Sequence, residues 1–311
     1  MPRLWTIAVA TAIAAPLGLL AYLLTPPLSD VRLDDAVQHF AVTTNVSLIA
    51  AAVSIAVMRS ALDARHWPSV LVALGFMSLA GIFAVHGLAT PGVLLRGGLR
   101  EIAAGSVIAL SAQLSLGVPA ILFAARFTPV LGWLRRSRRV TPRRLLAFAG
   151  LAIVAFGVEA LTQPVMVSDL VESMNGYGVN AAYGGYGGTA LQANPVWVLT
   201  VSGTTVLLFA FAAFRQTAEF ARSRLPTHAA LGVAFLFLAE AQIAMVVGPV
   251  FGLIFWTYHG LMAAATVIAI GALFLELDRR RGLERFLPPT VVERIVTGDR
   301  LSLEGERRTA T

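Results

Sequence analysis

Residues 68–88 read PSVLVALGFMSLAGIFAVHGL, without a single Asp, Glu, Lys or Arg. An apolar run of about twenty residues is what a helix needs to cross the roughly 30 Å hydrocarbon core of a bilayer. In lipid every backbone N–H and C=O must be paired within the protein, and a helix meets that demand by itself. The stretch therefore predicts a spanning helix, and the pattern repeats along the chain. Such runs lie at about 5–24, 39–58, 68–88, 102–125, 145–165, 196–214, 228–247 and 250–276. The expected fold is all-α: a polytopic membrane helical bundle of about eight spans, with a short cytoplasmic helix near the C-terminus.

Composition supports this reading. The chain is 57% hydrophobic and only 13% charged, and its mean hydropathy is +0.75. A soluble surface needs roughly 25% charged residues. The net charge of +7 would suggest nucleic acid in a soluble protein. Here the arginines sit between apolar runs, where they act as orientation signals and contacts to lipid headgroups, so no nucleic-acid partner is expected. Cysteine is absent, which excludes disulfides, thiolate metal sites and cysteine catalysis. Lysine is absent too, so no Schiff base to retinal or pyridoxal phosphate can form. The first run follows Arg3 and holds small residues at Ala14 and Ala15, as a secretory signal does. It is long enough to span, and is read as an uncleaved first helix.

Threading the spans alternately from an inside N-terminus collects twelve arginines on one side: Arg59, Arg65, Arg126, Arg135, Arg136, Arg138, Arg139, Arg143, Arg144, Arg215, Arg222 and Arg224. The opposite loops hold Arg32, Arg96 and Arg100 beside Asp30, Asp34, Asp35, Asp169 and Glu172. This bias predicts a multi-pass protein of the plasma membrane with both termini in the cytoplasm. Residues 164–195 form one long outer loop rich in glycine and tyrosine, and Gly248-Pro249 breaks the last two spans into a tight hairpin.

From Leu275 the chain changes character. Glu276, Asp278, Arg279, Arg280, Arg281, Glu284 and Arg285 carry the last span out as a charged extension, with an apolar seam at Leu273, Leu277, Leu283, Phe286 and Leu287. Pro288-Pro289 comes next, then the amphipathic segment Thr290, Val291, Val292, Glu293, Arg294, Ile295, Val296, closed by Gly298. Leu301-Ser302-Leu303-Glu304 alternates like an opening strand.

This tail, from Arg285-Phe286-Leu287-Pro288-Pro289 to Gly305-Glu306-Arg307-Arg308-Thr309-Ala310-Thr311, resembles the segment leading into class III adenylate cyclase domains. The resemblance covers about the last thirty residues. It implies that residues 1–276 are a transmembrane sensory or regulatory domain. Residues 277–311 would then be a cytoplasmic transducing linker into a catalytic domain not included in this chain. Arg285, Phe286, Pro288, Pro289 and Val292 are the linker residues it marks for signal transmission. It also implies a homodimer, a cyclase domain in the same polypeptide as partner, and Mg or Mn confined to that absent domain. The family's catalytic residues have no counterpart here, so none is assigned.

A carboxylate or histidine inside a span costs a few kcal/mol or more unless it has a partner or water. His39 opens the second span and His86 closes the third; Glu101 opens the fourth and Glu159 lies late in the fifth. Glu240 and Gln242 lie mid-way along the seventh, and His259 lies early in the eighth beside Tyr258. All fall in the outer half or near the midplane, which predicts a polar cavity opening outward. His39, His86, His259, Glu240 and Glu159 are its candidate metal ligands, for zinc, copper, manganese, iron or a haem held by paired histidines. No diagnostic ligand spacing singles them out, and interfacial histidines with a His259–Glu240 ion pair would account for them as well. His66 and His228 flank spans on the cytoplasmic side.

Three function classes are open. The leading one is a membrane domain that passes an extracytoplasmic or intramembrane signal through the last helix to a cytoplasmic adenylate cyclase making cAMP. The others are an eight-helix transporter or channel, which would favour an internal repeat, and an integral-membrane metalloenzyme that activates water.

Overall fold

A computed structural model describes residues 2–63, 66–137, 139–175 and 195–284. Among the described residues every regular element is helical. They are α1 (Pro2–Leu23), a 3-10 turn (Leu28–Asp30), α2 (Ala36–Asp63), α3 (Trp67–Leu88), α4 (Gly98–Ala125) and α5 (Pro129–Arg136). After these come α6 (Pro142–Thr162), α7 (Pro164–Asn175), α8 (Pro195–Ser223), α9 (Pro226–Val247) and α10 (Leu253–Glu284). Seven of them, α2, α3, α4, α6, α8, α9 and α10, are long and apolar enough to cross a membrane. α1 adds the shorter apolar stretch Ala10–Leu23. The chain thus has the helix lengths and composition of a multi-pass membrane bundle.

Local sequence sets the helix ends. Pro129, Pro142 and Pro226 occupy first-turn positions, where the missing N–H costs nothing. Thr141 caps α6 through its hydroxyl, which accepts from the Arg144 amide. Between α6 and α7 the backbone leaves the helical region at Gln163, and Pro164 restarts it. α4 opens on Gly97 and Gly98, whose φ of 72° and 60° a side chain would resist.

The packing order is a closed ring of six helices. α2 packs on α3, α3 on α4, α4 on α8, α8 on α9, α9 on α10, and α10 returns to α2. α6 leans on α3 from outside, α7 on α4, and α1 on α9 and α10. The interior is filled by Phe76, Phe83, Phe123, Phe209, Phe235, Leu238, Ile254 and Met262, all buried. Phe123 stacks on Phe235 with ring centroids 4.6 Å apart and meets Phe76 at 5.2 Å. α3 approaches its neighbours through glycines. A Cβ at Gly75 would overlap the Phe123 ring, one at Gly81 the Ile153 side chain, and one at Gly87 the Thr43 hydroxyl.

The outside of the ring is apolar as well. On α6, Phe148, Leu151, Val154 and Val158 recur every three or four residues and are exposed. Water would penalise such a stripe, whereas lipid tails are as apolar as the side chains themselves.

Two expectations change. The loop expected over 164–195 begins with the helix α7, whose Val167 is buried and whose Ser168 bonds Ser106 of α4 at 3.2 Å. The expected last span starts at Leu253 rather than 250, because residues 248–252 are the turn itself, with Phe251 at φ 58°. The basic run after α4 contains a helix, α5, which buries Leu134 and leaves Trp133 exposed. α10 continues past its apolar part, Leu253–Leu275, to Glu284. Arg285, Phe286, Pro288, Pro289 and Val292 lie outside the described residues, as does the glycine-tyrosine stretch 176–188.

Candidate metal centre

Three helix ends meet at one pole of the ring. Asp35 precedes α2 and accepts the Gln38 amide on its carboxylate at 2.8 Å, an N-terminal cap that places His39 in the first turn. His86 is in the last turn of α3, and Thr90 lies just beyond. His259 is in the second turn of α10, after the 248–252 turn.

That turn is tied to the connection before α2. Arg32 donates from Nη1 to the Val250 carbonyl at 2.7 Å, and the Leu33 amide donates to the Phe251 carbonyl at 2.8 Å. Arg32 and Gly252 form an antiparallel bridge, and Trp256 donates from its indole to the Leu33 carbonyl at 3.2 Å. Two stretches more than two hundred residues apart therefore close over the histidines.

Beneath this cover His39, His86 and His259 are each 1% exposed, and one ring nitrogen of each lies within 4.8 Å of one from the others. Their ring centroids stand 5.0 Å (His39–His86), 4.9 Å (His39–His259) and 5.9 Å (His86–His259) apart. Aromatic rings enclose them. Phe83 stacks on His86 at 5.0 Å, Phe255 lies 4.6 Å from His259, and Tyr258 lies 3.8 Å from His259.

The hydrogen bonds fix which nitrogens are free. His86 Nδ1 faces the Ile108 carbonyl at 3.0 Å, and His259 Nδ1 faces the Phe255 carbonyl at 2.8 Å. A carbonyl only accepts, so both Nδ1 atoms carry the proton and both neutral rings present a lone pair on Nε2. His39 bonds on both sides, Nδ1 to the Thr90 hydroxyl at 2.9 Å and Nε2 to His86 Nε2 at 3.0 Å. Thr90 can donate or accept, so it supports either tautomer of His39. The Tyr258 hydroxyl also reaches His86 Nε2, at 3.1 Å. Two neighbours thus converge on the single lone pair of His86, while the buried Nε2 of His259 has no partner.

The carboxylates expected beside these histidines do not join them. Glu159 is exposed on α6, one position before the buried Ala160. A step of one residue turns a helix by about 100°, so the two face different ways. Glu240 is buried on α9 with one oxygen unpaired, yet the group of mutually close ligand atoms consists, among the described residues, of the three histidines. Gln242 belongs to another polar cluster, donating to Ser202 at 2.9 Å and Gln113 at 3.1 Å. The side chain of Glu101 is outside the described residues. His66 bonds Ser69, and His228 bonds Gln216.

Thr90, Ile108 and Tyr258 complete the centre, and the sequence alone assigns them no role. The one local signal for Thr90 is a threonine four residues after His86. The Ile108 contribution is a main-chain carbonyl, invisible to any motif. Three Nε2 atoms can hold a small transition-metal ion. A haem does not fit between His39 and His86 as they stand, because the two touch through Nε2. The chain matches no protein-family model, no curated protein and no solved structure.

Proposed function

We propose that this chain is a membrane sensory and regulatory domain, and that α10 carries the state of the histidine centre to a cytoplasmic class III adenylate cyclase domain. One observation carries the reading: His259 lies on α10, the same helix that leaves the apolar region at Leu275 and continues to Glu284. At 1.5 Å per residue, a rigid rod of about 38 Å links the two points. Any change in how His259 is held tilts or rotates its charged end.

In this reading α1 is an eighth span, both termini are cytoplasmic, and the histidine pole faces outward, as the arginine bias supports. The tail that resembles a cyclase linker names the output, and the cyclase family's shared active sites imply a homodimer. The experiment inserts one to four residues after Arg280 in the polypeptide that continues into the cyclase domain. Each added residue rotates the downstream chain by about 100°, so basal and stimulated cAMP production are expected to vary with the number inserted. Output that is the same for every insertion overturns the reading.

A further inference from the structure

We infer that His39, His86 and His259 bind one zinc ion through their Nε2 atoms, with the Tyr258 hydroxyl at the fourth corner. The inference names the ligand of the site on which the sensory reading rests.

The distances are close to those of a zinc site. Around a four-coordinate zinc with bonds of about 2.0–2.1 Å, ligand atoms stand about 3.3–3.4 Å from one another. His39 Nε2 and Tyr258 Oη already stand 3.0 and 3.1 Å from His86 Nε2, and the three histidines group within 4.8 Å. Movements of a few tenths of an ångström open the His39–His86 and Tyr258–His86 separations to that spacing, and an inward turn of His259 brings its nitrogen in from within 4.8 Å.

The chemistry agrees. Nδ1 of His86 and of His259 are held by main-chain carbonyls, the outer support that orients a ligating imidazole and fixes its tautomer. His39 becomes a ligand when its proton sits on Nδ1 and Thr90 accepts it, which frees Nε2. Without a metal, His86 Nε2 faces two neighbours with one lone pair, and His259 Nε2 is buried with nothing to bond. A cation at the centre satisfies all of them at once.

Charge selects among metals and explains the fourth ligand. Three neutral imidazoles leave both charges of a divalent ion uncompensated in a low-dielectric interior. Tyr258, bound as phenolate after its proton leaves to solvent, reduces the net charge of the site from +2 to +1. Calcium and magnesium require oxygen ligands, and a three-nitrogen site refuses them.

The test loads Zn²⁺ or Co²⁺ onto the whole purified chain in chelator-free detergent and counts bound metal. One ion per chain is expected, with X-ray absorption showing imidazole nitrogens at about 2.0–2.1 Å. His39→Ala, His86→Ala and His259→Ala are expected to lose it, while His228→Ala, remote on α9, keeps it. Thr90→Val is expected to weaken zinc about 10- to 100-fold without changing the stoichiometry at saturation. Tyr258→Phe is expected to keep the metal and shift the visible Co²⁺ bands. No metal on the wild type, a wild-type spectrum without imidazole, or retention in all three alanine variants overturns the site, and an unshifted Co²⁺ spectrum removes Tyr258 from it. The wild-type absorption spectrum decides even where an alanine variant fails to fold. Metal lost while cyclase response persists overturns the sensory reading instead, so the two fail separately.

Discussion

The His86 ring donates from Nδ1 to the main-chain carbonyl of Ile108, 3.0 Å away on the neighbouring helix. This bond joins the end of α3 to the body of α4 and sets the imidazole so that Nε2 faces His39 and Tyr258. The Ile108 carbonyl also receives the Ser111 hydroxyl at 3.1 Å, so it keeps a side-chain partner if His86 is replaced.

His86→Phe is therefore expected to fold, since it retains a ring against Phe83 and orphans no carbonyl. The three hydrogen bonds lost, to Ile108, His39 and Tyr258, cost about 1 kcal/mol each. Denaturant unfolding in micelles checks this, and loss of helical circular dichroism would show that His86 is needed for folding itself.

Gly75→Ala is expected to destabilise the bundle by about 1–3 kcal/mol, because the new methyl meets the Phe123 ring that fills the core. Gly150→Ala is the contrast, as nothing lies within 4 Å of its Cβ position. It is expected to be neutral or slightly stabilising. Equal thermal midpoints for the two variants would refute the close approach of α3 to α4.

Gln113, Ser202 and Gln242 join α4, α8 and α9 inside the ring. A double-mutant cycle with Gln113→Leu and Gln242→Leu is expected to give a coupling of about 0.6 kcal/mol, the usual size for polar contacts between spanning helices. A coupling of zero would mean that the amides do not meet.

Reporter fusions at Arg144 and at Arg96 are expected to fall in opposite compartments, with Arg144 in the cytoplasm. One and the same compartment for both would overturn the assignment of α4 as a complete span.

Replacing Arg32 by alanine removes its bond to the Val250 carbonyl. Hydrogen exchange at the Leu33 amide, which donates to Phe251 across the same joint, is expected to accelerate. Unchanged protection would show that the backbone bridge to Gly252 holds the cover alone.

The sequence by itself determined that the chain is helical and where its long apolar helices lie. Transfer into lipid depends on local composition over about twenty residues, and a run such as 68–88 carries that quantity in full. It also determined the depth of the polar groups: His39, His86 and His259 each lie near one end of a run, and counting along antiparallel spans brings them to one level. Only the tertiary structure decided which of them meet. A soluble helix marks its buried face with a period of 3.6, but lipid and protein interior are equally apolar, so α6 reads the same on the face that meets α3 and on the face that bears Phe148 and Leu151. Rotation about each helix axis was therefore not encoded locally, and rotation is what turned Glu159 outward, brought Tyr258 to His86 and set His86 against a carbonyl twenty-two residues on.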